Sequence, residues 1–421
     1  MILYEAKQGD TVDNISRRTG VSADTIIRDN QLADTRFLAP GQYLVISDDQ
    51  TEHVVRPGET LYTIAETYSI PYDALLAANP QFDDPSVIVP GDVVNLICDT
   101  DKPAVTTIGF CHPDADIGIL RSNSRGLTYL GVCGYRLDSS GKFIDANAGL
   151  IAGAANKFGT APLINLSFTD EYGNYNDSIK HLMLNSAELQ RNLADDGSEI
   201  YKARGFGGVI FDLGYVSPEY CDKATSFVNQ SIRRIRTLSP ETAVILTIPM
   251  ITNDAECAGY DIKTLNENCD FFNISTCSHK PTEPGAFIYT EDLTNSVKYI
   301  ASMVDPQKIL IGISNFGYDY TVDNYTPMEI NVLSSTCASE IAQRKNVEIT
   351  HDIVSEQATF RYRDAAQREH EVWFESTRSR YAKMKLVQQY NLGGMSYWTV
   401  DVINTKNQII QNSLYSTKKL I

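Results

Sequence analysis

Eight short apolar runs separated by helical stretches fill roughly the last three quarters of the chain, and they constrain its fold more than any other feature. They are Thr106–Cys111, Tyr129–Tyr135, Leu163–Phe168, Gly207–Leu213, Val244–Ile248, Phe271–Thr276, Ile309–Ile313 and Gly394–Trp398. A strand buried on both faces reads as a continuous apolar segment, and parallel strands joined by helices bury both faces. Eight such units in roughly 320 residues predict a (β/α)8 barrel of the α/β class. A doubly wound open sheet is the competing topology. The partial glycine fingerprint Gly205-Phe206-Gly207-Gly208 would suit it, but Ile210 holds the third glycine position and the segment precedes a strand instead of following one. Over 323–375 the alternation breaks. Ala358–Tyr362 and Glu371–Phe374 alternate as strands do, around a turn at Arg363–Gln367. This predicts a small α+β lobe, inserted before the last strand, that walls a groove at the barrel mouth.

The front of the chain carries an internal repeat. Gly9-Asp10-Thr11-Val12-Asp13-Asn14-Ile15 aligns with Gly58-Glu59-Thr60-Leu61-Tyr62-Thr63-Ile64, Asn30 with Asn79, and Pro40-Gly41 with Pro90-Gly91. Each copy reads strand, helix, helix, strand. The Thr after the Gly-acid turn can cap the first helix, and Val12, Ile15 or Leu61, Ile64, Ala65 give that helix one apolar face. Pro-Gly then turns the chain into a closing strand.

These residues resemble LysM modules, over 1–48 and 52–98. The resemblance implies binding of N-acetylglucosamine-containing glycans such as peptidoglycan and chitin. It assigns the groove to Gly9, Asp10, Thr11 and Asn30 in the first copy and to Gly58, Glu59, Thr60 and Asn79 in the second. The second copy keeps the family pattern more closely, because Val12 and Asp13 replace a Leu-aromatic pair in the first.

Charge and composition narrow the partners. Residues 1–99 hold 6 basic and 16 acidic side chains, so −10 of the formal net charge of −17 lies there. That balance repels polyanions and excludes a nucleic-acid face, while a neutral glycan remains compatible. With 43% hydrophobic and 21% charged residues the composition is globular, and no apolar run reaches the roughly 18 residues of a membrane span. The start, Met1-Ile2-Leu3-Tyr4-Glu5, lacks the basic and apolar regions of a leader, which predicts synthesis in the cytoplasm without a signal peptide. Eight scattered cysteines form no C-x-x-C pair and six histidines no i, i+4 pair, so neither metal nor cofactor is expected.

Over 104–421 the sequence resembles glycoside hydrolase family 18 barrels, in particular LysM-bearing N-acetylglucosaminidases that degrade spore cortex. The resemblance rests on Gly208–Asp212 with Tyr215-Val216, Lys308–Ile313 with Gly317-Tyr318-Asp319, His370–Glu375, and Gly393–Trp398. It implies a location at the spore coat or cortex surface.

In that family the fourth strand carries D-G-x-x-D-x-D-x-E, or a shortened form. The glutamate protonates the leaving oxygen, and the aspartate two residues earlier orients the substrate's N-acetyl group for attack on the anomeric carbon, a substrate-assisted scheme. Residues i and i+2 of a strand point the same way, which explains the spacing. Here the run reads Gly207-Gly208-Val209-Ile210-Phe211-Asp212-Leu213-Gly214-Tyr215. Asp212 keeps the orienting position and Gly214 stands at the acid position. A sixth-strand M-x-Y motif becomes Ser275-Thr276-Cys277. General acid catalysis contributes about 10²–10⁴-fold, so a glycine there predicts lost hydrolysis. Carboxylates that could replace it are Asp170, Glu171, Glu283, Asp319 and Asp401, all at strand ends. The resemblance makes Trp398 the floor on which a sugar ring stacks; Tyr215 and Asp319 are further sugar-binding candidates, and Tyr215, Tyr318 and Trp373 either line the same cleft or are plain wall residues. Three functions follow from these residues: a glycan-binding protein with an inactive barrel, an active N-acetylglucosaminidase with a relocated acid, and an assembly scaffold.

Overall fold

The computed structural model describes residues 1–33, 35–47, 52–68, 70–79, 82, 84–96, 102–170, 174–276, 281–322, 328–402 and 405–420. Each repeat folds as strand, helix, helix, strand. In the first, Ile2–Glu5 pairs antiparallel with Tyr43–Ile46 around helices Val12–Thr19 and Ala23–Asn30. In the second, Glu52–Val54 pairs with Val93–Asn95 around Leu61–Tyr68 and Tyr72–Ala77. Thr11 caps the first helix, its hydroxyl accepting from the Asn14 N–H while the Asn14 side chain accepts from the Thr11 N–H. Thr60 makes the matching cap to the Thr63 N–H. The apolar positions read from the sequence form two small cores, Val12, Ile15, Ile26 and Leu44 in one module and Leu61, Ile64, Leu75 and Val94 in the other.

All eight apolar runs are strands of one closed parallel barrel. In chain order they are Ala104–Cys111, Tyr129–Leu137, Ala161–Ser167, Gly208–Asp212, Ala243–Ile248, Phe271–Ile274, Ile309–Ser314 and Gly394–Trp398. The eighth pairs with both the seventh and the first, and the first with the second, so the eight strands close on themselves and the open-sheet alternative is excluded. Ile108, Phe110, Leu163, Ile210, Ile245 and Leu310 fill the interior. A larger apolar layer lies between the strands and the surrounding helices.

The inserted lobe is a five-stranded antiparallel sheet with helix Ser335–Lys345 against it. It begins at Phe316, earlier than residue 323, because Phe316–Thr321 pairs inside the lobe sheet with Ile330–Ser334 and Glu369–Phe374. Gly317 permits that pairing, since a Cβ there would lie 2.3 Å from the Cβ of Phe374. A buried ion pair fixes the lobe to the barrel helix that follows it: Lys383 Nζ lies 2.9 Å from Glu375, and both side chains are fully buried.

The first repeat is fused to this body. Its strand Tyr43–Ile46 and helix Ala23–Asn30 pack on helices Thr377–Gln389 and Thr405–Leu414, and Val45 joins the barrel's outer core. Ile349 of the lobe donates its N–H to the Pro40 carbonyl at 2.9 Å. The second repeat meets the barrel through polar contacts, Arg121 to Asp92 at 3.1 Å and Arg125 to the Val93 carbonyl at 2.7 Å.

Candidate functional site

Parallel barrels expose strand C-termini at one mouth, where loops carry the chemistry. The fourth strand ends there at Asp212. Its carboxylate accepts the Tyr175 hydroxyl, 2.8 and 3.0 Å from the two oxygens, and the Gly214 N–H at 3.3 Å. Burial pushes the Asp212 carboxyl up to about 6, against the pull of those hydrogen bonds and of the Lys180 ammonium. Lys180 is itself buried and holds the loop by donating to the carbonyls of Leu213, at 3.3 Å, and Tyr215. The Tyr260 hydroxyl donates to the Gly214 carbonyl from the other side.

Tyr175 is the residue that sequence reasoning missed. It follows the third strand, bridges to Thr169, and lays its ring against Gly214. A Cβ on residue 214 would fall 2.6–2.9 Å from atoms of that ring, and Gly214 adopts φ +60°. The ring therefore takes the space into which a longer residue 214 would grow. Nothing in the local sequence marks Tyr175, because its partners lie on the neighbouring strand.

The proposed substitutes for an acid are differently placed. Asp170 accepts the Asn174 N–H at 2.9 Å, and Glu283 is solvent-exposed. Both oxygens of Asp319 are taken inside the lobe, by the Tyr362 hydroxyl at 2.7 Å and His370 Nδ1 at 2.8 Å. That buried cross-strand pairing occupies the carboxylate that the sequence offered as a sugar-binding candidate. Asp401 accepts the His112 N–H at 3.0 Å and lies 2.6 Å from His112 Nδ1, which raises the imidazole pKa. Glu171 and Cys277 lie outside the described residues.

Trp398 is half-buried at the end of the eighth strand, its ring centroid 5.3 Å from that of Phe110 above the barrel interior. Ile210 fills that interior, where Gly131 leaves room for its Cδ1. Tyr215 is 54% exposed beside Gly214 and can face a ligand. Tyr318 is buried in a cluster with Phe287 and Phe316, and the Trp373 indole N–H is bound to Glu371 at 2.7 Å.

In the repeats, Gly9 and Gly58 sit at φ +83° and +87°, the left-handed turn the sequence implied. Asn30 and Asn79 are each 1% exposed and bind inside their modules. The Asn30 amide donates to the Ile26 and Val45 carbonyls and accepts the Val45 N–H; Asn79 repeats the pattern with Leu75 and Asn95. Asp10 is bound by Tyr4, Arg18 and the Lys7 N–H, and Glu59 by His53 and the Arg56 N–H. These side chains frame the turns, which corrects the expectation that the two asparagines themselves reach a sugar.

Comparison with known proteins places both parts. The family model for glycosyl hydrolases family 18 matches residues 171–402, more than half of the chain. The chain belongs to glycosyl hydrolase family 18. The two repeats are LysM domains, matched over 4–47 and 53–96. The cortical fragment-lytic enzyme of Bacillus anthracis is 26% identical to this family 18 protein over 435 residues, covering 99% of each chain. A Bacillus subtilis cortical fragment-lytic enzyme is 25% identical over 71% of this chain and 70% of its own. The crystal structure of the Bacillus megaterium spore cortex-lytic enzyme SleL superposes with a TM-score of 0.81, at 23% identity over 100% of this chain and 99% of that one. It shares the whole LysM-LysM-barrel fold. Among the described residues no cluster of His, Cys, Asp or Glu could hold a metal, and no helix is long and apolar enough to cross a membrane.

Proposed function

We propose that this family 18 protein holds N-acetylglucosamine-containing glycans, peptidoglycan above all, through its LysM modules and barrel mouth, and does not cleave them. The observation that carries this reading is the Tyr175 ring against Gly214, with its hydroxyl on Asp212. The position at which the family resemblance puts a proton-donating glutamate has no side chain. Of the substitutes read from the sequence, Asp170, Asp319 and Asp401 are engaged by their own neighbours. Tyr215 and Trp398 leave an aromatic surface at the mouth on which a sugar ring can stack. The names of the relatives, cortex-lytic and cortical fragment-lytic, suggest spore peptidoglycan as the polymer and the spore envelope as the location.

Cleavage is the second reading. It is favoured by the lytic activity in those names and by an Asp212 carboxyl that keeps its proton up to about pH 6.

The test is to incubate the intact protein with insoluble peptidoglycan and follow both sedimentation and release of reducing ends. Co-sedimentation without release is the expected result. Turnover that disappears in Asp212→Asn would establish the enzyme instead, and failure to sediment would remove the glycan-binding reading altogether.

A further inference from the structure

Two buried cations share a cavity that the glycan-binding reading does not use. The cavity, of about 220 Å³, lies outside the barrel between the loops that follow the seventh and eighth strands. Arg380 of helix Thr377–Gln389 and Lys406 and Asn407 of helix Thr405–Leu414 line it. So do Ser335 and Thr336, the first two residues of the eleven-residue helix Ser335–Lys345, and Gln31 of the first LysM module.

The lining is built for a ligand with acceptor oxygens. Arg380 is 4% exposed and Lys406 5%, yet neither forms an ion pair with a carboxylate among the described residues. The Arg380 guanidinium donates from Nε to the Ser376 carbonyl at 3.2 Å. The strong carboxylate nearby, Glu375, is already held by Lys383. Glu340, half-buried on helix Ser335–Lys345, acts on Lys406 through its charge without an ion pair to it, and lies 3.8 Å from Arg344. Asn407 is 2% exposed with both amide atoms unpartnered, and the Ser335 hydroxyl, on a residue 5% exposed, is unpartnered too. Buried charges and polar groups are normally satisfied, so two cations and two unpartnered polar groups around one cavity call for a shared partner. A helix N-terminus at the same place adds positive potential.

We infer that this cavity binds a small oxyanion, which Arg380 and Lys406 neutralise and Asn407 and Ser335 hydrogen-bond. The proton balance supports this. Burial and the Arg380 charge pull the Lys406 ammonium down to about 7, and burial holds Arg380 at about 10; an anion between them relieves both. Because Gln31 comes from the LysM module and the other groups from the barrel and lobe, the ion also latches the module to the body. Neither Asp212 nor any of its hydrogen-bond partners lines this cavity, so the site stands whether or not the protein cleaves glycans.

The experiment is thermal unfolding of the full chain at neutral pH, at constant ionic strength, in rising inorganic phosphate, in rising acetate, or in chloride alone. A ligand that binds only the folded state raises Tm in a saturable way. The expected result is a saturable rise in phosphate or in acetate over the chloride control; the responding arm tells a phosphoryl from a carboxylate group. Lys406→Met should abolish the rise. Asn407→Leu should weaken apparent affinity about tenfold, the equivalent of one lost hydrogen bond to a charged group. Hydrogen exchange of helix Ala23–Asn30 should slow in the responding anion. If the cavity holds only water, Tm will be the same in all three salts and Lys406→Met will raise it in each, because an unpaired buried amine has been removed. That outcome, or an anion effect unchanged in both variants, overturns the site.

Discussion

At Gly214 two constraints meet: a left-handed backbone, and an aromatic ring filling the direction of any side chain. Gly214→Glu must strain the backbone, at about 1–3 kcal/mol, and displace Tyr175 as well. We expect it to lower the urea midpoint and to release no sugar from peptidoglycan. Adding Tyr175→Ala should recover part of the lost stability, since it removes the clash but not the strained φ; no recovery would mean that the ring is not the obstacle. Even then a lone new carboxylate would lack the carboxylate that Ile210 replaces in the family's motif, and a catalytic acid needs neighbours that tune it. Asp212 gives a second test. Its folded-state pKa of about 6 lies above the unfolded carboxylate value near 4, so the folded state binds more protons between these limits. Stability is lost as pH rises through that window. The Tm of the wild type should therefore fall relative to Asp212→Asn from about pH 4 to about pH 6, and a constant difference would refute the assignment.

Among the elements, the helix Thr377–Gln389 carries a fully buried ion pair. Ser376 caps it, Lys383 reaches back to Glu375, and Ser379 and Gln357 complete the carboxylate's hydrogen bonds. A buried pair satisfied in this way is costly to break from one side. Lys383→Met should destabilise by about 3–5 kcal/mol, because it leaves Glu375 charged and buried. The double change Lys383→Met with Glu375→Leu should cost clearly less than the sum of the single changes in a urea double-mutant cycle. Additive losses would show that the two groups act separately. The LysM helices depend on smaller terms of the same kind, the Thr11 and Thr60 caps and the Asn30 and Asn79 staples.

For the whole molecule the decisive feature is the seam between the first LysM module and the body. Gly41 adopts φ +77°, and a Cβ there would lie 1.9 Å from the Ile349 carbonyl oxygen. Tyr43 meets His351 edge-on, with the Arg378 guanidinium over its ring. Gly41→Ala should therefore separate module from barrel, at about 2 kcal/mol or more. We expect a lower Tm and faster proteolysis at the seam, with unchanged proteolysis of the second module. If the seam is only incidental contact, the variant will unfold as the wild type does.

Sequence alone determined the parts of this protein. The eight strands were legible because parallel strands buried on both faces must be apolar throughout, and the repeats because caps and Pro-Gly turns need particular residues at particular spacings. Asp212 and Gly214 could be placed because the resemblance aligns them with the family's fourth-strand motif, whose spacing alternation along a strand explains. Tertiary structure alone decided what fills the space beside Gly214, where Asp319 spends its oxygens, and which side of the seam holds the buried cations. Each of those facts joins residues from different elements: Tyr175 to Gly214, His370 to Asp319, Arg380 to Lys406. Such contacts depend on how the elements pack in three dimensions, and local periodicity carries no record of it.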